Sequence, residues 1–253
     1  MAKANPFDRY VKADQPVKQR IIWAGFGEPG SGKTTFGLTA PGPIIIQSFD
    51  KGLEGVVEKY QDEKDIYVAE YDWNPAEGAE RGQDEACDLR DKFIADFEHA
   101  ITVARTVIWD KETDIFRLFK YAEFGFSEKG APQDWDALKN RIRRLLNMPK
   151  ALDINFGVIQ GMKNEWVSKA NNKTGNMGIT QSGNRVRSGM DDVEALVHIN
   201  IEHVFTPSGG FEMNIGKARG PGGSDVQGRS LPGLTFAEFA VLCFPGTDET
   251  DWM

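Results

Sequence analysis

The 253-residue sequence predicts a three-layer α/β domain with a mostly parallel sheet and an antiparallel C-terminal edge. Three observations carry this. Strand-like apolar runs alternate with helix-like segments through the first two thirds of the chain. Several of those runs are apolar throughout, as strands covered on both faces are. Two further strand-like segments, Ala195 to Phe205 and Phe211 to Ala218, are then separated only by a turn around Pro207-Ser-Gly-Gly210.

The first run, Ile21 to Phe26, leads into Gly27-Glu28-Pro29-Gly30-Ser31-Gly32-Lys33-Thr34-Thr35. This is the G-x4-G-K-[ST] pattern of a phosphate-binding loop. Glycines at 27, 30 and 32 allow turns that aim successive N–H groups at phosphate oxygens. Lys33 would set an ammonium against the β- and γ-phosphates, and the Thr34 hydroxyl would ligate Mg²⁺. Ser31 and Thr35 complete the predicted contact with ATP. The helix-like run after the loop ends at Pro41.

Beyond it, Pro43 to Phe49 reads as a central strand, 52–60 as a short helix, and Asp65 to Tyr71 as an edge strand. The Gly- and acid-rich stretch 72–87 reads as a loop or insertion. Leu89, Phe93, Phe97, Ala100, Ile101 and Ala104 recur at helical spacing, so 86–104 is an amphipathic helix facing the sheet. Thr106 to Asp110 is a buried strand, two helices follow, and Ile154 to Gln160 is another core strand. The segment 161–190 is rich in Gly, Asn and Lys without apolar periodicity and reads as a long loop. Residues 1–19 form an arm, 20–245 the core, and 246–253 an acidic tail expected to be a free terminus.

Three strand ends carry candidate chemistry. Val107-Ile-Trp-Asp110 is a Walker B pattern, with Asp110 in the Mg²⁺ shell opposite Thr34 or, on the plainer reading, capping the next helix. Asp50 would orient the water that attacks the γ-phosphate, or cap the helix after it. Gln160 would bond the γ-phosphate or that water, or be a surface amide.

This order of features resembles the RecA-like recombinase core. Gly32-Lys-Thr-Thr-Phe-Gly-Leu-Thr-Ala-Pro-Gly-Pro with its following strand is similar to small phage-encoded RecA-like ATPases of the Sak type, which are single-strand annealing proteins. The resemblance covers roughly residues 20–220. It implies that Gln160 senses the γ-phosphate and that 161–190 is a second DNA-binding loop. It also implies that Lys217 and Arg219 reach across a subunit interface to a neighbour's nucleotide, in a homo-oligomeric ring or filament. The sequence departs from the pattern at Asp50, where Glu is usual, and at Lys111, where a small hydroxyl residue is common. The chain has no room for the terminal domains of full-length recombinases, which favours annealing over strand exchange.

Charge agrees with a single-stranded DNA partner once it is localised. The net charge is −8, but residues 61–100 alone carry −9, and 161–190 carries +4 from Lys163, Lys169, Lys173, Arg185, Arg187 and Glu165. Those five cations, with Trp166 to stack on a base, form the predicted DNA contact; as a solvated surface loop they would carry no such role. If about four phosphates are neutralised, log K falls against log salt with a slope of about −2.8. The tail could instead compete with DNA for the basic loop or dock on a partner such as a phage single-strand binding protein. Cys87 and Cys243 lack metal-ligand spacing and read as buried thiols, His99, His198 and His203 read as structural, and the start is no signal peptide. No apolar run approaches the roughly 18 residues of a membrane span, so a cytoplasmic protein is expected. The rival expectations are a small-molecule (nucleotide) kinase and a motor or regulatory ATPase acting on duplex DNA or protein.

Overall fold

The computed structural model of the chain describes residues 18–49, 51–73, 78–125, 130–170 and 177–253. An eight-stranded sheet runs through it. β1 (Ile22–Phe26) lies between β5 (Asn155–Gln160) and β8 (Ile199–Phe205), parallel to both. On the far side of β5 follow β4 (Thr106–Asp110), β2 (Ile44–Ser48) and β3 (Ile66–Glu70), all parallel. Beyond β8 lie β9 (Phe211–Ala218) and β10 (Ser230–Pro232), each antiparallel to its neighbour. A mostly parallel sheet with an antiparallel edge is what the sequence predicted.

Alternate residues of the central strands serve opposite faces, as the period of two requires. Ile22, Ala24, Val107, Trp109, Phe156 and Val158 pack with α2 (Gly78–Val103), α3 (Glu112–Phe124) and α4 (Pro132–Asn147). Trp23, Ile108, Ile159 and Ile201 pack on the other face with α1 (Lys33–Leu38) and α7 (Phe236–Cys243). β3 is the edge strand expected, with Tyr67 and Val68 exposed.

Several expectations are corrected. The helix expected at 52–60 is two separate 3-10 turns, Lys51–Leu53 and Val57–Lys59, because Gly55, at φ 77°, interrupts it. α2 begins at Gly78, with a break at Gly82, so part of the presumed loop 72–87 is helical. The segment 161–190 is no long loop: β6 (Met162–Ala170) and β7 (Met177–Arg187) pair as a separate antiparallel ribbon. Such a two-stranded ribbon stands off the sheet, so neither face needs the apolar alternation that would have announced it. Val193–Leu196 form a helical turn, α5, before β8 begins, and Gly223–Val226 form another, α6, after β9.

The tail is also corrected. Residues Glu249–Trp252 form a 3-10 turn, and Trp252 is buried against Phe236 and Phe244, with ring centroids at 6.3 and 5.0 Å. Its Nε1 donates to Thr247 Oγ1 at 3.0 Å, and Arg105 donates to the carbonyls of Asp251 and Met253. One indole buried under α7 outweighs the ordering of a few polar residues. Of the arm, residues 1–17 lie outside the described residues.

Candidate functional site

The ends of β1, β4 and β5 converge on a cleft of about 630 Å³ lined by Gly27, Lys33, Thr34, Asp110, Gln160 and Arg185, among others. Gly30, Gly32 and Thr35 also line it, while Ser31 is buried beneath the loop. Gly27 leaves β1 with φ 150°, and a Cβ there would lie 2.2 Å from the carbonyl oxygen of His203 on β8. The loop therefore passes over β8 at a separation only glycine permits. Gly32 adopts the left-handed region at the start of α1 and contributes no capping side chain.

Lys33 Nζ folds back to donate to Gly27 O at 3.1 Å and Glu28 O at 2.7 Å, and lies 3.4 Å from Ser31 Oγ. Thr34 Oγ1 donates to Asp110 Oδ2 at 2.8 Å across 76 positions of sequence. Asp110 is buried at the tip of β4, opposite Ser48 of β2 and Ile159 of β5. The two residues predicted from separate motifs therefore meet. A hydroxyl and a carboxylate at the mouth of a cleft are hard oxygen donors of the type Mg²⁺ takes, and Mg²⁺ ordinarily needs only one or two such protein groups beside phosphate and water. Among the described residues no group of three or more His, Cys, Asp or Glu could hold a metal.

Gln160, at the tip of β5, is fully buried, and Nε2 donates to Glu112 Oε2 at 2.8 Å. Its Oε1 has no hydrogen-bond partner among the described residues. Glu112, likewise fully buried, accepts a second bond at Oε1 from the Met190 N–H, 3.2 Å away. Burial pushes its carboxyl up to about 7, aided by the like charges of Asp114 and Asp191 and opposed by the bonds from Gln160 and Met190. Thr113 lies 2.9 Å from Ser188 across a hydroxyl–hydroxyl bond and accepts from the Gly161 N–H at 3.2 Å. The first turn of α3, starting two residues after Asp110, thus grips both the entry and the exit of the ribbon. Sequence reasoning missed Glu112, since an acid in the first turn of a helix ordinarily faces solvent.

The predicted nucleic-acid residues separate. Trp166 is 61% exposed on the ribbon, and Ile179, 75% exposed, shares its face. Lys163 lines the cleft. Arg187 instead turns toward the sheet: its guanidinium lies 3.9 Å from the Phe26 ring centroid and donates to Asn200 Oδ1 at 3.0 Å. Burial lowers its pKa, against the raising effect of Glu194, Glu112 and Glu202. Asp50 and Lys173 lie outside the described residues, as does the side chain of Lys169.

Lys217 and Arg219 do not line the cleft of their own chain. Lys217 Nζ donates to the carbonyls of Glu194, Ala195 and Val197 at 2.7, 3.0 and 2.7 Å, so it caps the end of α5. Arg219 is exposed just after β9. His203 and His198 are held neutral, pushed down to about 3 and about 4, chiefly by burial and then by neighbouring cations. Cys243 is buried and Cys87 half-buried, both unpaired. Among the described residues no helix is long and apolar enough to cross a membrane. No protein-family model matches the chain, and no curated protein matches it.

Proposed function

We propose that this chain is a RecA-like ATPase that binds ATP with Mg²⁺ in the cleft and single-stranded DNA along the β6–β7 ribbon, promoting annealing or recombination. The observation that carries the nucleotide half is the Thr34–Asp110 contact at 2.8 Å beside Lys33. A chance Gly-rich turn has no reason to meet a buried carboxylate 76 positions away. Mg²⁺, held there by Thr34 and Asp110, would offset the negative charge that develops on phosphate during transfer.

The chain's own residues divide the remaining work. Lys33 exchanges its loop carbonyls for phosphate oxygens, an exchange of like hydrogen bonds with a charge gained. Thr34 and Asp110 orient the metal side. Gln160 ends the strand between the phosphate-loop strand and the Asp110 strand, which suits an amide that reads the terminal phosphate. Asp50 is the proposed water-orienting group. For DNA, the ribbon offers Trp166 for stacking and Lys163 for charge, with Lys169 and Lys173 following them in the sequence. Arg219 is a better candidate than Lys217 for reaching a neighbouring subunit, because Lys217 would first have to release three carbonyls.

The test is ATP hydrolysis with and without single-stranded DNA, with Lys33→Ala as the blank. Stimulation by single strands that the substitution abolishes supports the proposal. Phosphate transfer to a nucleoside or nucleotide would replace it with a kinase, and stimulation by duplex alone with a motor or regulatory ATPase.

A further inference from the structure

Arg185 is one of the ribbon cations that charge alone assigns to nucleic acid, yet its guanidinium is directed at the phosphate loop. Nε lies 3.1 Å from Oε1 of Glu28, and Nη2 lies 3.1 Å from Oε2 of the same carboxylate. This is the two-pronged fit that a guanidinium makes with a carboxylate or a phosphate. Nη2 also donates to Met162 O at 3.2 Å, which holds the group against the base of the ribbon.

Glu28 is the residue after Gly27, and its backbone carbonyl accepts from Lys33 Nζ at 2.7 Å. One loop residue therefore gathers two cations, one on its main chain and one on its side chain, and both line the cleft. Lys111 and Arg117 also line it, but both pair with Asp114 of α3. Lys163 lines it from the ribbon. The Arg185 and Glu28 side chains are 45% and 54% exposed, so the pair is of the weak, readily exchanged kind.

We propose that Arg185 is a phosphate-binding catalytic residue of the nucleotide site, supplied by the same chain, and that Glu28 holds it beside the loop until phosphate replaces the carboxylate. This rests on the ATPase reading above. In the hydrolytic step a water oxygen forms a bond to the γ-phosphorus. The bond from that phosphorus to the bridging oxygen breaks, its electron pair leaves on ADP, and the water's proton passes to solvent. Charge is spread over the γ-oxygens and grows on the bridging oxygen, and a guanidinium reaching either stabilises it more than the ground state. The ribbon is thereby joined to the chemistry directly, since the same strand, β7, carries Arg185.

The experiment compares wild type, Arg185→Ala and Arg185→Lys in ATP turnover and in salt-dependent binding of an oligothymidylate. The expected result is a fall in kcat of about 10²-fold for Arg185→Ala, the scale of losing one donor to transition-state charge. Partial recovery in Arg185→Lys is expected, because the charge returns without the fork. The salt slope for the oligonucleotide should stay at the wild-type value. Unchanged turnover with a slope shallower by about 0.7, the share of one lost phosphate contact, would overturn the assignment and return Arg185 to the nucleic-acid surface. If wild type itself neither binds nor hydrolyses ATP, the nucleotide reading fails. If wild type turns over and Arg185→Ala matches it, the role of Arg185 alone fails.

Discussion

Replacing Glu112 separates a buried hydrogen-bond junction from an incidental acid. Its carboxylate accepts from Gln160 Nε2 at 2.8 Å and from the Met190 N–H at 3.2 Å, and all three groups are buried. Glu112→Ala leaves both donors unpaired, at about 1–3 kcal/mol each. Removing a carboxyl that burial already disfavours returns part of this, so a net loss of about 2–4 kcal/mol is expected. Glu112→Gln should cost less. Its amide oxygen can serve Met190, and its NH₂ can donate to Gln160 Oε1, which has no partner among the described residues, once the Gln160 amide turns over. That arrangement leaves one donor unpaired, the turned Gln160 NH₂ where Oε1 had no partner, instead of two, so it should cost about 1–2 kcal/mol. It also reverses the Gln160 amide, so most of the stability is kept while the amide end facing away from residue 112, at the cleft, changes from an acceptor to a donor. Gly189, whose Cβ would lie 1.9 Å from Glu112 Oε2, shows how closely the ribbon exit is seated on this carboxylate. Urea unfolding followed by tryptophan fluorescence measures both variants. Equal losses for the two, or an alanine variant within about 0.5 kcal/mol of wild type, would refute the reasoning.

Three further outcomes are expected. Gly27→Ala places a methyl 2.2 Å from His203 O at a φ of 150°, so the loop must shift; calorimetry should find ATP·Mg²⁺ binding lost, and wild-type affinity would contradict this. Trp252→Ala removes a buried indole and should cost about 3–5 kcal/mol, lowering the melting temperature by about 6–20 °C; a free tail would leave the melt unchanged. His203, pushed down to about 3 when folded, stays neutral while the unfolded chain takes up a proton below about 6.5. Its contribution is therefore intact above that pH and is lost as pH falls toward 3, amounting to about 2 kcal/mol by pH 5. His203→Leu should flatten that part of the stability–pH curve, and an unaltered slope in denaturant titrations would count against the buried neutral ring.

The strands of the core, the glycine-rich loop after β1 and the tips carrying Asp110 and Gln160 were legible in the sequence, because each is announced by neighbours in the chain. Strand burial shows as an unbroken apolar run, a phosphate loop as glycines at set intervals, and a strand end as the first polar residue after the run. The pairing of Thr34 with Asp110 followed from those signals only through a known pattern of function, and the fold supplied the contact. The rest depends on contacts between distant segments. Glu28 and Arg185 are 157 positions apart, and nothing local distinguishes that arginine from Arg187, which turned inward onto Phe26. Glu112 looked like an ordinary helix-start acid until the ribbon exit and Gln160 closed over it. Trp252 looked like a loose end until α7 offered it a surface. Sequence by itself determined which core strands are buried and where the glycines and polar tips stand, since those depend on composition along a few residues. Tertiary structure decided which charges meet, because a side chain's partner is set by which strand or ribbon the sheet order brings alongside it.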